Sequence, residues 1–154
     1  MNILNRNDFL DSNRMVCKEE KNEFGAVDYT VSIDNVNIGF AEVTYCDKEE
    51  IENLYYDSVD DFDGSCLNFF NKFDDIANIE DFWLENEYKG RGLSKHVLNI
   101  IIENILKRCS QIILRSTPCG KGLDENALVS LYEKCGFTTL QETDNDGVIM
   151  GYKK

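Results

Sequence analysis

Residues 82–94 read Phe-Trp-Leu-Glu-Asn-Glu-Tyr-Lys-Gly-Arg-Gly-Leu-Ser, which combines the end of a strand, a glycine-rich turn and the start of a helix. The segment that leads into it, 79–84, is short and aromatic, as is typical of a strand. After the glycines, apolar residues recur with the 3.6-residue period of a helix, namely Leu93, Val97, Leu98, Ile101, Ile102, Ile105 and Leu106. The sequence therefore predicts a strand at 78–85, a glycine-rich turn and a helix at 92–108.

A glycine-rich turn in this position is suited to binding phosphate. Gly90 and Gly92 let the backbone approach a ligand closely, and the start of a helix offers unpaired N–H groups and a positive dipole end. The spacing of a Walker A loop is absent, and Lys95 stands where a dinucleotide fingerprint needs its third glycine. A turn that only reverses the chain remains the alternative, because a lone Gly-x-Gly is a weak signal.

Size and composition predict one folded domain over residues 1–154, since 42% of the residues are hydrophobic and 11% aromatic. We expect a cytoplasmic protein without a membrane partner, because the sequence lacks a long apolar segment and a signal-peptide pattern. The six cysteines form no Cys-x-x-Cys pair, and His96 is the only histidine. We therefore expect no metal site and no histidine-dependent triad.

The net charge of −13 is concentrated in one half of the chain. Residues 1–77 hold 6 basic and 18 acidic residues, whereas residues 78–154 hold 10 and 11. A negative field of this kind repels nucleic acid and attracts cations. The sequence thus argues against a nucleic-acid partner, although solubility alone would also explain the acidity.

The remaining elements follow from periodicity and turn residues. Residues 1–25 predict a short strand or helix with a loop, and residues 47–76 form an acidic, aromatic insertion with a helix predicted within 61–73. We further expect a hairpin of strands 29–33 and 38–45, a strand at 111–116 parallel to 78–85, a helix at 124–135 that ends at Gly136, and a closing hairpin of 138–143 and 148–152.

These parts resemble the GCN5-related N-acetyltransferase (GNAT) superfamily. Lys89, Gly92 and Ser94 occupy the three defined slots of its Arg/Gln-x-x-Gly-x-Gly/Ala turn, and Asn-Glu-Tyr precedes them. The block Leu-Tyr-Glu-Lys-Cys-Gly-Phe at 131–137 is similar to the recurring Tyr-Glu-Lys-x-Gly-Phe of the family. The resemblance implies an α/β (α+β) fold with a central mixed, mostly antiparallel sheet and flanking helices.

The resemblance covers roughly residues 27–154 and ends at the front of the chain. Only about 25 residues precede the first hairpin, too few for the strand and two helices with which the family usually begins. The family uses those helices in its acceptor site. We expect the 47–76 insertion to take their place in this shortened N-terminal part.

The resemblance implies transfer of an acetyl group from acetyl-CoA to a primary amine by direct attack. It implies that the pyrophosphate rests on the turn, that the pantetheine arm follows the preceding strand, and that one residue of the second helix touches the cofactor. The residues concerned are Lys89, Gly90, Arg91, Gly92, Leu93 and Ser94 in the turn, Phe82, Trp83 and Leu84 in the strand, and Asn126 in the helix. Asn126 as a helix cap is the alternative.

By the same resemblance, Glu80 is the candidate base that accepts the proton of the amine. Asp81, expected on the other face of the strand, is the second choice. Tyr132 is the candidate acid that returns a proton to the sulfur of CoA. The alternatives are a solvated carboxylate for Glu80 and a core tyrosine for Tyr132.

Two hypotheses about function follow. The first is an N-acetyltransferase with a cationic acceptor, either a lysine or N-terminal amine of a basic protein or a small polyamine-like amine, acting as a monomer or homodimer. The second is a non-catalytic acidic protein on the same fold that masks a basic surface of a partner. The intact glycines and Tyr132 favour the enzyme.

Overall fold

A computed structural model describes residues 14–85, 92–117 and 125–154. Within these residues, seven strands form one sheet in the order β1-β2-β3-β4-β5-β7-β6. The pair of β4 and β5 is parallel and the other neighbouring strands are antiparallel, which confirms the predicted mixed sheet. The strands are β1 (Met15–Lys21), β2 (Val27–Ile33), β3 (Val36–Cys46), β4 (Ile76–Leu84), β5 (Gln111–Ser116), β6 (Thr138–Glu142) and β7 (Val148–Lys153), and the helices are α1 (Lys48–Ser58), α2 (Ser94–Ile105) and α3 (Glu125–Lys134).

The first predicted hairpin is confirmed and turns at two residues with positive φ. Asp34 has φ of 49° and Asn35 of 69°, and both residue types tolerate this left-handed conformation. Two successive left-handed residues match the twist of the strands that they join. The second hairpin and the parallel pairing of 111–116 are confirmed as well.

The larger part of the core lies between one face of the sheet and the helices α2 and α3. The apolar face that the sequence predicts for α2 is buried, with Val97, Leu98, Ile101, Ile102 and Ile105 all inside. A Cβ atom on Gly39 of β3 would lie 2.6 Å from Cγ1 of Val97. The absence of a side chain at this position therefore lets α2 pack directly against the sheet.

A second apolar cluster lies on the opposite face, beneath the 47–76 insertion. Ile51 and Tyr55 of α1 are buried there, and the Tyr55 hydroxyl donates a hydrogen bond to Oδ1 of Asn78 at 3.1 Å. Asp47 and Glu50 close the start of α1, since each carboxylate accepts from the backbone N–H of the other residue. This capping box fixes the start of α1 directly after the end of β3.

The predicted helix within 61–73 is wrong in its extent. That segment contains only a short 3₁₀-helix, Gly64–Phe69, and the longer helix of the insertion is α1. The predicted helix at 92–108 is also shorter than expected at both ends. Gly92 has φ of 72° and lies outside the helical region of backbone space.

The front of the chain differs from the usual arrangement of the resembled family. β1 leads to β2 through a tight turn, in which the Asn22 N–H donates to the Ala26 carbonyl at 2.8 Å. The helix on this side of the sheet stands between β3 and β4 instead. Among the described residues, no helix is long and apolar enough to cross a membrane.

Candidate active site

The strands β4 and β5 separate at their carboxyl ends, and this opening is called the split below. Pairing is limited to Ala77–Ile79 of β4 against 112–114 of β5. β5 continues along β7 to Ser116, while β4 continues along β3 to Leu84. Backbone groups of β4 that face β5 beyond Ile79 therefore have no partner strand among the described residues. Carboxyl ends of parallel strands are a common position for a ligand.

A β-bulge lies where the split begins. Glu42 of β3 stands opposite Asp81, whereas the next residue, Val43, stands opposite Ile79. Glu80 is thus the extra residue of the bulge, and such a residue bends its strand and increases the local twist. The bulge explains why β4 turns away from β5 directly after Ile79.

The bulge also corrects the predicted position of Asp81. In a regular strand side chains alternate, which predicts Glu80 and Asp81 on opposite faces of the sheet. Here Asp81 shares a face with its cross-strand partner Glu42, and Thr44 on that face donates its hydroxyl to the Glu80 carboxylate at 3.4 Å. Both acidic residues therefore lie on the α1 face of the sheet.

The backbone of β4 beyond the bulge alternates between β3 and the split. The Glu85 N–H donates to the Ile38 carbonyl at 3.0 Å, so Glu85 faces β3. Since antiparallel partners alternate between bonded and non-bonded pairs, Trp83 also faces β3, and the N–H and C=O groups of Phe82 and Leu84 face the split. Of the three predicted strand residues, Trp83 is therefore wrongly oriented for a backbone contact in the split. Its ring stacks on Phe40 with centroids 4.3 Å apart.

The start of α2 lies at the end of the loop that follows β4. Leu93 is the N-cap residue, and no side chain among the described residues caps this helix. Its first N–H groups are consequently available to an anion, in contrast to those at the capped start of α1. The side chain of Leu93 is buried, so Leu93 would act through its backbone. The predicted contacts of Lys89, Gly90 and Arg91 lie outside the described residues.

Tyr132 lies on α3, on the same face of the sheet as Phe82 and Leu84, and is 8% exposed. The helix ends in a Schellman motif: the Phe137 N–H donates to the Tyr132 carbonyl and the Gly136 N–H to the Glu133 carbonyl, both at 3.0 Å. Gly136 has φ of 104°, as the motif requires. The predicted helix end is confirmed, and the motif fixes the turn that carries Tyr132.

Asn126 is the second residue of α3 and its side chain is exposed. This position lies inside the helix and not at its cap, so the capping alternative does not apply. A contact with a cofactor remains a prediction.

Sequence reasoning missed Ser116, the last residue of β5. Ser116 is 1% exposed, and its Oγ has no hydrogen-bond partner in the part of the chain that the structure describes. Nothing in the pattern of Gln-Ile-Ile-Leu-Arg-Ser distinguishes this serine from an ordinary strand end. Only the pairing of the strands shows that it stands at the split.

Glu80 has an altered proton affinity although its side chain is exposed. Partial burial raises the pKa of Glu80, and repulsion by Glu42 and then Asp81 raises it further. The hydrogen bond from Thr44 opposes this change. A carboxylate with a raised pKa is a stronger base once ionised.

Carboxylates of four neighbouring strands form a row on the α1 face. Glu20 stands opposite Asp28, Asp28 opposite Glu42, and Glu42 opposite Asp81. Asn22 links the two middle members, since its side-chain amide donates to Asp28 at 3.0 Å and to Glu42 at 2.9 Å. Like charges in opposed positions destabilise a sheet, so this carboxylate row lowers the stability of the protein by itself.

The described residues contain no cluster of three or more potential metal ligands, and each of the five described cysteines is free.

The architecture is similar to several solved structures. The chain aligns with an uncharacterized protein from Bacillus halodurans with a TM-score of 0.57 and 17% identity, over 86% of this chain and 61% of that one. It aligns with the ribosomal-protein-S18-alanine N-acetyltransferase from Escherichia coli with a TM-score of 0.51 and 14% identity, over 94% and 84%. The chain has the GNAT fold. AAC(6')-Ib in complex with ribostamycin and coenzyme A also aligns, with a TM-score of 0.51 and 18% identity, over 84% and 64%.

The chain is similar to these solved structures in fold, at sequence identities of 14–18%. No family model and no curated protein matches the sequence. The chain spans 61% and 64% of the lengths of the Bacillus halodurans protein and of AAC(6')-Ib. Within the GNAT fold, the start of α2 and Tyr132 lie on the α2 and α3 side of the sheet, and Glu80 lies on the other side. The split opens between these two sides.

Proposed function

We propose that this protein is an N-acetyltransferase that moves an acetyl group from acetyl-CoA to a primary amine. The observation that carries the proposal is the split, because it opens the sheet between a candidate base on one face and a candidate acid on the other. A donor in the split can thus be approached by an acceptor from the α1 face. The solved structures of similar fold support the reaction class, since AAC(6')-Ib is bound to coenzyme A and the Escherichia coli protein is named as an N-acetyltransferase.

The residues present fit the proposed donor. Among the described residues, no atom would lie within 4 Å of a Cβ on Gly92, and no side chain caps the first N–H groups of α2. These N–H groups suit a pyrophosphate. The backbone N–H and C=O groups of Phe82 and Leu84 that face the split suit hydrogen bonds to the amides of a pantetheine arm. Acetyl-CoA would supply the reactive thioester.

Each catalytic residue has one proposed task. Glu80 takes a proton from the attacking amine, whose ordinary pKa of about 10.4 keeps it charged at neutral pH. A backbone N–H of β4 that faces the split stabilises the negative charge that develops on the carbonyl oxygen of the acetyl group. Tyr132 gives a proton to the sulfur as the carbon–sulfur bond breaks and the carbon–nitrogen bond forms.

The carboxylate row favours a cationic acceptor. Its members span three strand spacings, or about 14 Å, which is longer than one ammonium group needs. Together with Glu80 the row would stabilise an amine that carries further positive charge, such as a lysine in a basic segment or a polyamine. The partial burial of Asp28 and Glu42 limits the screening of such an attraction by salt.

The reaction is tested by following the release of free thiol from acetyl-CoA with a panel of amines. The panel contains spermidine, a lysine peptide with basic neighbours, the same peptide with neutral neighbours, and a simple monoamine. We expect turnover with the polycationic members at the lowest KM. The proposal would be contradicted if, with every amine, thiol were released no faster than in buffer without the protein.

The acceptor preference is tested separately with a double variant, Asp28→Asn with Glu42→Gln. We expect KM for spermidine to rise by about tenfold and KM for the monoamine to change little, with a weaker effect at high salt. Glu133→Gln, on the exposed side of α3, is the control, because it also replaces a carboxylate by a neutral amide. An equal change of KM for both amines would refute the preference for polycations and leave the transferase proposal intact.

A further inference from the structure

Ser116 carries a buried hydroxyl at the carboxyl end of β5, where the split lies. Its side chain is 1% exposed, and its Oγ lacks a hydrogen-bond partner among the residues described. A buried hydroxyl without a partner destabilises a folded protein, because it has lost its bonds to water without replacement. The described residues therefore leave this buried hydroxyl without a hydrogen-bond partner.

The sheet places this hydroxyl on the side of the proposed donor. Ile112 and Leu114 of β5 belong to the cluster beneath α2 and α3, and alternation along the strand gives Ser116 the same face. Its partner on β7, Val148, belongs to that cluster as well. Ser116 thus lies on the face that carries Tyr132, and opposite the face of Glu80.

The depth of Ser116 in the split indicates which part of a ligand would reach it. The last residue of β5 that pairs with β4 is Leu114, and Ser116 follows it by two residues, or about 7 Å. The start of α2, where a pyrophosphate would bind, follows the far end of β4 beyond Leu84. A ligand that extends from α2 along β4 would therefore bring its distal end, and not its phosphates, to Ser116.

We propose that Ser116 is a positioning residue that donates its hydroxyl to the sulfur of the bound CoA or acetyl-CoA. This inference rests on the proposed function. The hydroxyl is both donor and acceptor, and the bound ligand would give it a partner that the described residues do not supply. With Tyr132 on the same face, Ser116 would hold the sulfur in place while Tyr132 delivers the proton.

The test compares the binding of CoA and of desulfo-CoA, which lacks the sulfur, to the unchanged protein and to Ser116→Ala. We expect Ser116→Ala to weaken CoA by about tenfold and to leave the affinity for desulfo-CoA unchanged. We also expect the unliganded variant to be at least as stable as the unchanged protein, because it removes an unsatisfied polar atom. The control Ser32→Ala, at another buried serine of the sheet, should weaken neither ligand.

The outcomes distinguish the role of Ser116 from the proposed transferase function. Equal CoA affinity of Ser116→Ala and the unchanged protein would overturn the role of Ser116 alone, and so would an equal loss for both ligands. Absence of CoA binding by the unchanged protein would overturn the transferase as well. A Ser116→Ala protein that is less stable than the unchanged protein without ligand would show that the hydroxyl has a structural partner, against the inference.

Discussion

Phe137 donates its backbone N–H to the carbonyl oxygen of Tyr132 at 3.0 Å, and the two rings pack edge to face with centroids 5.8 Å apart. One residue is thus bound twice to the other, through the backbone and through the ring. Gly136 between the helix and Phe137 cannot be replaced easily, since a Cβ there would lie 2.8 Å from the ring of Tyr152. The end of α3 therefore holds Tyr132 in a defined orientation beside the split.

Removal of the Tyr132 hydroxyl tests its role as the acid. We expect Tyr132→Phe to lower kcat by about 10²-fold, the lower range for proton transfer, while the dissociation constant of CoA stays within a factor of about three. Kinetics of thiol release and calorimetric titration measure the two quantities. Tyr152→Phe, in the same ring cluster, is the control and should keep normal turnover. A normal kcat for Tyr132→Phe would refute the assignment.

The start of α2 is tested by a pair of matched glycines. Gly92 and Gly25 both have positive φ, 72° and 85°, and no described atom lies within 4 Å of a Cβ built on either. Gly92→Trp and Gly25→Trp should each lower the free energy of unfolding by about 1–2 kcal/mol through backbone strain. Only Gly92→Trp should lower CoA affinity, by more than tenfold, because its side chain would obstruct the N–H groups. Equal affinities of the two variants would mean that no phosphate binds at this turn.

The pH dependence of the rate tests Glu80 and its neighbours. Glu80 acts as a base when ionised, so kcat/KM should rise with pH through a pKa above the ordinary 4.5. Glu42→Gln removes a negative neighbour, so Glu80 should ionise at lower pH and the acid limb should move to lower pH. Thr44 and Asp81 keep their opposite effects in this variant.

Two further variants complete the pH experiment. Glu80→Gln should reduce kcat by about 10²-fold and abolish the acid limb that belongs to this carboxyl. Glu103→Gln, exposed on α2, should leave the limb where it is. An acid limb that does not move in Glu42→Gln would show that another group accepts the proton.

The close approach of α2 to β3 is tested by stability. Gly39→Ala should lower the free energy of unfolding by about 1–3 kcal/mol, because its Cβ would lie 2.6 Å from Cγ1 of Val97. Val97→Ala removes that atom at the expense of a small cavity. In a double-mutant cycle by chemical denaturation, the double variant should be more stable than the sum of the single effects predicts. Additive effects would mean that the contact with Val97 is not the source of strain.

The sequence predicted those parts of the fold that local patterns encode. The alternation at 29–33, the turn at Asp34 and the helical period of α2 each reflect burial on one face, which a pattern reports directly. Helix α1 was missed because its apolar residues, Ile51 and Tyr55, are few among acidic ones. The Asp47–Glu50 capping box was the signal that would have located its start.

The candidate site was less accessible to sequence reasoning because it depends on pairing between distant strands. Asp81 was assigned to the wrong face, since a bulge reverses the alternation and leaves no mark in the sequence. The family resemblance implies backbone contacts for Phe82, Trp83 and Leu84 alike, but backbone groups alternate along a strand, and those of Trp83 face β3. Ser116 became visible only as a buried hydroxyl without a partner among the described residues.

We propose that the split between β4 and β5 binds acetyl-CoA through the backbone of β4. Amide hydrogen exchange at single-residue resolution, with and without saturating CoA, tests it most directly. We predict that the amides of Phe82 and Leu84 exchange more slowly when CoA is present, whereas the amide of Trp83, already bonded to β3, changes little. Unchanged exchange at Phe82 and Leu84 in the presence of CoA would contradict the account.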